Sequence, residues 1–338
     1  MTGEPRALAI WAVTDGRAGI EAQALGLAEA VAAAAPAGGE IVAKRIVWRD
    51  GLQRLPTRLI PTPRLLLRRG SDALAPPWPD IWIACGRASI PASIAVRRWA
   101  KGRVFVVQVQ DPVRDARRFD LVVPPAHDRL EGPNVFPILG APHRVTPDRL
   151  SAERGRFAEK LDALPRPLTA VLVGGRSKAF DIPLASAHAI ADAVEAVLAS
   201  EGGAALVSFS RRTPARAQAA IQARLAGRAA WVWDGKGDNP YFAFLAAADR
   251  FLVTADSITM TAEAASTGKP VQILPVKGRQ ARKDRFHADL LARGAARPWR
   301  GVAEHWTYAP LRETERAAAE VLRRWTDHRH VLDSATTS

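Results

Sequence analysis

The fold of this chain follows from residues 249–276, which read DRFLVTADSITMTAEAASTGKPVQILPV. Residues 251–254 form an apolar run with the length of a buried strand. Asp256 or Ser257 can then cap a helix, which a glycine and a proline terminate. The apolar residues 271–276 give a second buried strand. The stretch therefore predicts one β-α-β unit with a polar turn between its first strand and its helix.

That polar turn is a candidate anion site. The free N–H groups and the positive dipole end of the helix favour a diphosphate. Glu263 lies about two turns into the predicted helix, where its carboxylate can accept hydrogen bonds from a ribose. The alternative is a surface glutamate on an ordinary crossover helix.

The composition indicates a globular protein of two ordinary domains, because 338 residues suffice for two cores. No apolar run approaches a transmembrane length, and the first residues lack the pattern of a cleavable signal. We therefore expect a cytoplasmic protein. If it contacts lipid, we expect it to be peripheral to the inner membrane. The single Cys85 excludes internal disulfides and thiolate metal clusters.

The net charge of +14 indicates an anionic partner. Nucleic acid is not expected, because no helix-turn-helix, zinc-finger or RNP-type pattern is present. The remaining candidate partners are phosphorylated substrates and an anionic membrane surface. A genome of high GC content is the non-functional alternative, because it enriches arginine and alanine in every protein.

Residues 49–70 read RDGLQRLPTRLIPTPRLLLRRG and alternate arginines with leucines. Such a stretch can lie on anionic lipid with its apolar side chains inserted and its guanidinium groups at the headgroups. The alternative is a pair of basic helices packed on their own domain.

The first half of the chain repeats a strand followed by a polar turn. Its first strand, residues 7–14, runs into Asp15-Gly16-Arg17-Ala18-Gly19 and an alanine-rich helix, a geometry that can cradle phosphate. The spacing is not G-x-G-x-x-G, so a dinucleotide site is not expected. A later turn holds His127 beside Asp128, a candidate general base or a loop-stabilising pair. Further strands are predicted at residues 41–48, 80–85, 103–109, 119–123 and 135–139.

A second strand-turn-helix series begins at residue 168. Its first strand leads to Gly174-Gly175-Arg176-Ser177, which is not a Walker loop but offers glycines, a hydroxyl and a cation. The next strand leads to Ser210-Arg211-Arg212-Thr213-Pro214, where Thr213 is the predicted N-cap and the arginines can contact phosphate. The following strand, residues 229–233, ends in Trp233 and Asp234.

These series predict an α/β protein of two Rossmann-like domains facing each other across a cleft, with a C-terminal helix. The predicted divisions are a first domain at 1–145, a connector at 146–167, a second domain at 168–330 and a disordered tail at 331–338.

This order resembles the GT-B fold of nucleotide-sugar glycosyltransferases, and the opening stretch resembles the nucleotide-binding unit of the bacterial transferase that adds N-acetylglucosamine to a lipid-linked peptidoglycan precursor. The resemblance places Asp256 and Ser257 at the diphosphate and Glu263 at the ribose. Ser257 stands where that family has a glycine.

A resemblance to the elongated-mitochondria fission-factor family of plants and bacteria covers nearly the whole chain. The family usually has a histidine where this chain has Ile20, which would remove a catalytic base if that histidine served as one. Plant members are implied to recruit a fission dynamin at the mitochondrial surface. The matching pieces are Asp15-Gly16-Arg17-Ala18-Gly19, Gln23, Phe119-Asp120-Leu121-Val122, His127-Asp128, Gly132-Pro133-Asn134-Val135, Ser210-Arg211-Arg212-Thr213-Pro214, Asn239-Pro240-Tyr241 and Thr254-Ala255-Asp256-Ser257.

The sequence thus predicts a metal-independent GT-B glycosyltransferase that uses a nucleotide-diphosphate sugar as its substrate and no cofactor. Asp15, or His127 as the second candidate, would activate the acceptor. The alternatives are an epimerase or hydrolase on the same fold, and a membrane adaptor without turnover. The predicted nucleotide-binding residues are Gly174, Gly175, Arg176, Ser177, Arg211, Arg212, Trp233, Asp234, Asp256, Ser257 and Glu263.

Overall fold

Buried strands alternate with helices in two separate units of the chain. The computed structural model describes residues 6–49, 63–113 and 116–336. The first unit comprises residues 1–144 together with 312–338, and the second comprises residues 145–311. Most of residues 49–70, the predicted membrane segment, lies outside the described residues.

The elements of the described residues follow the predicted alternation closely. The strands are β1 (Leu8–Thr14), β2 (Gly39–Arg45), β3 (Ile81–Cys85), β4 (Phe105–Val109), β5 (Leu121–Val123), β6 (Leu168–Val173), β7 (Phe180–Asp181), β8 (Ala204–Phe209), β9 (Ala230–Val232), β10 (Arg250–Thr254), β11 (Val271–Leu274), β12 (Lys277–Gly278) and β13 (Arg297–Pro298). The helices are α1 (Ala18–Ala34), α2 (Pro63–Leu66), α3 (Ile90–Trp99), α4 (Pro147–Arg156), α5 (Ala158–Asp162), α6 (Leu184–Glu201), α7 (Ala215–Leu225), α8 (Tyr241–Ala247), α9 (Ile258–Ala265), α10 (Ala281–Ala292) and α11 (Glu313–Thr336).

The first unit is built on a parallel sheet with the order β2-β1-β3-β4-β5. Its inner strands are continuous apolar runs because helices cover both faces of a parallel sheet. One face packs on α1 and α11, and the other on α3 and a cluster of tryptophans. The predicted strand at residues 135–139 is replaced by two isolated bridges, Val122 to Val135 and Pro125 to Ile138.

The second unit is built on a parallel sheet with the order β13-β11-β10-β6-β8-β9. This is the doubly wound order, in which the chain starts at the centre with β6 and winds outward on both sides. The switch point lies between β6 and β10, which pair although about 80 residues separate them. One face buries an apolar cluster that includes residues of α6 and α7. The prediction of two Rossmann-like α/β sheets is confirmed.

The last helix differs from its predicted assignment to the second domain. It belongs to the first unit, where Leu139 N donates to Glu313 Oε2 at 2.7 Å and His143 N donates to Thr314 Oγ1 at 3.2 Å. Ala317 and Val321 are fully buried in the first core. The helix also continues to Thr336, through most of the predicted disordered tail.

The connector predicted at residues 146–167 is part of the second unit. Thr146 caps α4 by accepting from Arg149 N at 3.2 Å, with Pro147 at the first helical position, as predicted. Helix α4 then packs on α8. None of the helices within the described ranges is long and apolar enough to cross a membrane.

Candidate functional site

The candidate site lies at the carboxyl edge of the second sheet, where β6, β8 and β10 end. Open α/β sheets bind their ligands at this edge, at the switch point of the strand order. The glycine turn after β6 and the polar turn after β10 meet at that switch point, and the arginine turn after β8 lies beside them. The sequence pattern located each turn, and the sheet order makes them neighbours.

The glycine turn is pressed between the other two turns. Gly174 N donates to Thr254 Oγ1 and Gly175 N donates to Asp256 Oδ2, both at 2.7 Å. A Cβ at Gly174 would lie 2.2 Å from Asp256 Oδ2, and one at Gly175 would lie 2.2 Å from the carbonyl carbon of Arg212. Glycine is therefore required here by the close approach of three loops.

The arginine turn is joined to the glycine turn through its backbone. Arg176 N donates to the carbonyl of Arg212 at 2.9 Å. Thr213 was predicted to cap α7, and this prediction is wrong: Pro214 occupies the N-cap position. The Thr213 hydroxyl donates instead to the carbonyls of Val173 and Gly174. Val173 O also accepts from Ser210 N at 2.8 Å, so the buried hydroxyl adds a second link between the arginine turn and the end of β6.

Three cationic side chains surround this junction. Arg176, Arg211 and Arg212 are exposed, and none of them forms an ion pair with the described residues. Guanidinium groups in this state are available for bidentate contacts to phosphate oxygens. Ser177, at the end of the same turn, accepts hydrogen bonds from Ala179 N and Phe180 N and so shapes the loop.

Asp256 is buried at the centre of the site. Its Oδ2 accepts from Gly175 N, and its Oδ1 has no hydrogen-bond partner among the described residues. Lys283, at the start of α10, donates from Nζ to the Asp256 carbonyl. Burial lowers the pKa of Lys283, Asp256 opposes that shift and Arg212 adds to it. Lys283 was not among the predicted site residues, although it closes the basic run KGRQARK that follows β11.

Helix α9 begins at the same point. Ser257 is its N-cap and accepts from Met260 N at 3.4 Å, so of the two predicted caps the serine has this role. The first N–H groups of a helix have no intrahelical acceptor and carry the positive end of its dipole. The N-terminus of α9 thus adds backbone donors to the cations of the neighbouring turns.

Glu263 is a buried residue, and the alternative of a surface glutamate is wrong. It is 8% exposed, and its Oε2 accepts from the Tyr241 hydroxyl at 2.5 Å. Burial raises the pKa of Glu263 to about 7, with the Tyr241 hydrogen bond opposing the rise. Burial, followed by the Glu263 charge, raises the pKa of Tyr241 well above its ordinary value. The carboxyl therefore titrates near neutral pH.

Trp233 and Asp234 form a separate turn after the edge strand β9. Trp233 Nε1 donates to the Lys236 carbonyl at 3.1 Å, and Asp234 Oδ1 accepts from Lys236 N at 3.0 Å. Two strands, β8 and β6, separate this turn from β10. No contact joins these two residues to Glu263 in the described part of the chain, and their role at a base stays a prediction.

The two predicted catalytic residues lie in the first unit. Asp15 follows β1 and accepts from Arg17 N at 3.2 Å and from Arg17 Nε at 2.8 Å. His127 is buried, with Nε2 at 3.7 Å from Asp128 Oδ1. Their roles at an acceptor stay predictions. Ile20 packs on the first core and lies beside Gly86.

Solved structures with a similar fold include two UDP-GlcNAc 2-epimerases. The enzyme from Methanocaldococcus jannaschii, solved in complex with UDP-GlcNAc and UDP, is 12% identical with a TM-score of 0.51, and the match covers 94% of this chain and 99% of that one. A putative epimerase from Listeria monocytogenes is 12% identical with a TM-score of 0.50, covering 95% and 90%. These similarities show that the chain has a GT-B-like fold.

Comparison with sequences gives closer relatives. The mitochondrial fission protein ELM1 of Arabidopsis thaliana is 32% identical over 72% of this chain, and the match spans 64% of the plant protein's length. The uncharacterized protein RP120 of Rickettsia prowazekii is 25% identical over 91% of this chain and 96% of its own. The model of the family described as Mitochondrial fission ELM1 matches residues 18–325. The chain therefore belongs to the mitochondrial fission ELM1 family.

Proposed function

We propose that the second unit binds a nucleotide-diphosphate sugar at the carboxyl edge of β6, β8 and β10. The observation that carries the proposal is the junction of the Gly174-Gly175 turn with the N-terminus of α9. Beside it lie a buried glutamate and three arginines that form no ion pair with the described residues. Backbone N–H groups, a helix dipole and guanidinium groups together form an anion site. The fold shared with an epimerase solved with UDP supports this class of ligand.

Each residue of the site is assigned to one part of the nucleotide-diphosphate sugar. Ser257, Gly175, Arg176, Arg211 and Arg212 bind the diphosphate, with Gly174, Ser177 and Asp256 shaping their loops. Glu263 binds the ribose, and Trp233 and Asp234 flank the base. In glycosyl transfer the leaving diphosphate gains charge, which fixed donors and arginines stabilise without a metal. Asp15, with His127 as the second candidate, activates the acceptor.

A second candidate is an adaptor that keeps the nucleotide site and lacks turnover. Ile20 at the position of the family's usual histidine favours it, as does the match to a protein named for mitochondrial fission. An epimerase or hydrolase is the third. Incubation with UDP-GlcNAc distinguishes these functions. A transferase moves the sugar to an acceptor, an epimerase forms the 2-epimer, and a hydrolase releases free sugar. An adaptor binds the nucleotide sugar and forms no product.

Wild-type protein is expected to bind one of UDP, GDP, CDP or dTDP, seen as a rise in melting temperature because the ligand binds only the folded state. Glu263→Ala is expected to weaken that nucleotide roughly tenfold to a hundredfold in a calorimetric titration, because hydrogen bonds to a charged group contribute about 1.5–3 kcal/mol. Glu159→Ala, an exposed glutamate in α5 of the same unit, is the matched control and should bind as wild type.

Equal affinity in a folded Glu263→Ala variant would place the ribose elsewhere. A melting temperature that none of the four nucleotides raises would contradict the proposal that the second unit binds a nucleotide.

We also propose that residues 49–70 bring the protein to an anionic membrane surface. In its described part the Arg64 guanidinium lies 3.9 Å from the ring centroid of Trp99 and 5.1 Å from that of Trp78, and Leu65 is 68% exposed. An exposed leucine beside arginine and tryptophan suits the headgroup boundary. The alternative, a basic segment packed on its own domain, predicts no lipid binding.

Liposome sedimentation checks this proposal. Binding to vesicles that contain phosphatidylserine is expected, together with its loss at high salt, because exposed charges are screened. A variant with every arginine of residues 49–70 changed to glutamine should lose it, and neutral vesicles are the control. Binding that survives the arginine changes would contradict the assignment.

A further inference from the structure

Tyr241 is fixed at the start of α8 by its own turn. Its backbone N–H donates to Asn239 Oδ1 at 3.0 Å, and Pro240 precedes it at the N-cap. Its ring packs edge to face on Phe242, with 5.7 Å between centroids. The hydroxyl is thereby held on Glu263 Oε2 at 2.5 Å. A carboxylate has two oxygens, each with two acceptor sites, so this bond leaves Oε1 available.

No other charged group competes for Glu263 in the described residues. Helix α9 packs on β10 and β11. Arg250, in β10, is paired with Glu201, and β11 carries no charge. Lys269, which follows α9, donates to the Ala246 carbonyl. Besides burial, Tyr241 is therefore the group that sets the ionisation of Glu263.

The state of Glu263 decides how well it can hold a ribose. An ionised carboxylate accepts hydrogen bonds from both ribose hydroxyls, whereas a protonated carboxyl presents a donor of its own. Burial favours the protonated form, and a hydrogen bond donated to the carboxylate favours the ionised one. The hydroxyl of Tyr241, donated from α8, therefore shifts Glu263 toward the ionised carboxylate, which is the form that binds the ribose.

We propose that Tyr241 is a positioning residue of the nucleotide site: its hydroxyl orients the Glu263 carboxyl, favours its ionised form and leaves Oε1 free for the ribose. The inference rests on the proposed function, because it concerns the ribose end of the same site. Nucleotide affinity is expected to rise as the pH passes upward through about 7, as Glu263 loses its proton.

The test is the pH profile of UDP affinity between pH 5.5 and 9 at constant ionic strength, for wild type and Tyr241→Phe. Loss of the hydroxyl raises the pKa of Glu263, so the midpoint should move up by about one pH unit or more. Affinity at pH 7 should fall roughly fivefold and recover toward the wild-type value at pH 9, because a shift of that size leaves about a tenth of the carboxyl ionised.

Tyr308→Phe is the matched control, because the chain has two tyrosines and the Tyr308 hydroxyl donates to Ala265 and Lys269 carbonyls beside the other end of α9. It removes an equivalent hydroxyl without touching Glu263 and should leave the midpoint in place. If Tyr241→Phe does not fold, 3-fluorotyrosine is incorporated into the Tyr308→Phe variant, in which Tyr241 is the one tyrosine left to be labelled. The more acidic phenol is a stronger donor and should lower the midpoint.

The outcomes separate the inference from the proposed function. Wild type that binds no UDP at any pH overturns both. UDP binding with the same midpoint in wild type and Tyr241→Phe overturns the inference alone. Tighter binding by Tyr241→Phe at every pH also overturns it, since Tyr241 would then compete with the ribose for Glu263.

Discussion

Gly175→Ala is expected to disrupt the nucleotide site and to destabilise the second unit by about 3 kcal/mol, the upper part of the range for overpacking a closely packed site. The added Cβ would lie 2.2 Å from the carbonyl carbon of Arg212 and 2.4 Å from its oxygen. Both are backbone atoms, so the arginine turn has to move. The Arg176 N to Arg212 bond and the Gly175 N to Asp256 bond cannot both survive that movement.

Hydrogen exchange of peptides from β6 and β10 measures this loss locally, which matters because a two-unit chain need not unfold in one step. UDP affinity is expected to fall at least about tenfold, equivalent to 1.4 kcal/mol, because the diphosphate donors lose their arrangement. Gly155→Ala is the control: Gly155 is exposed in α4, and its Cβ would meet no atom within 4 Å. It should stabilise α4 by about 0.5–1 kcal/mol. Wild-type UDP affinity in Gly175→Ala would exclude the glycine turn from the site.

Glu263→Gln is expected to stabilise the second unit above pH 7 by up to about 3 kcal/mol. The pKa of Glu263 is about 7 in the folded chain, against an ordinary value of 4.5. Because the folded pKa is the higher one, the folded state binds more protons between these values. The contribution of Glu263 to the free energy of unfolding is therefore complete below pH 4.5. It is lost as the pH rises through 7, at 1.36 kcal/mol per pH unit. Glutamine resembles the protonated acid and still accepts from Tyr241.

The same hydrogen-exchange measurement at pH 5 and pH 8 checks this prediction. The difference between Glu263→Gln and wild type should grow with pH, and Glu159→Gln, at an exposed position, should show no such trend. A difference that is the same at both pH values would mean that Glu263 has an ordinary pKa. A gain in stability combined with weaker UDP binding would show that the buried carboxylate is retained for the ligand at a cost to the fold.

The positions of the strands, helices and turns were predictable from the sequence because each depends on a few neighbouring residues. The run of residues 251–254 predicted a strand, and the structure has β10 there. Ser257 was one of two predicted caps, and it accepts from Met260 N. The glycines and arginines after β6 and β8 were identified by their place at strand ends. Thr213 is the exception, since the carbonyls that its hydroxyl reaches lie about 40 residues earlier in the chain.

By itself the sequence determined two series of strands and helices, their polar turns and the family to which the chain belongs. Only the tertiary structure decided that β6 lies beside β10, that α11 completes the first core, and that Lys283 reaches Asp256. It also decided the state of Glu263, because Tyr241, 22 residues away, and the surrounding core set its burial and its pKa. Periodicity and capping act within a few turns of chain, whereas burial and electrostatics depend on every group that folding brings near.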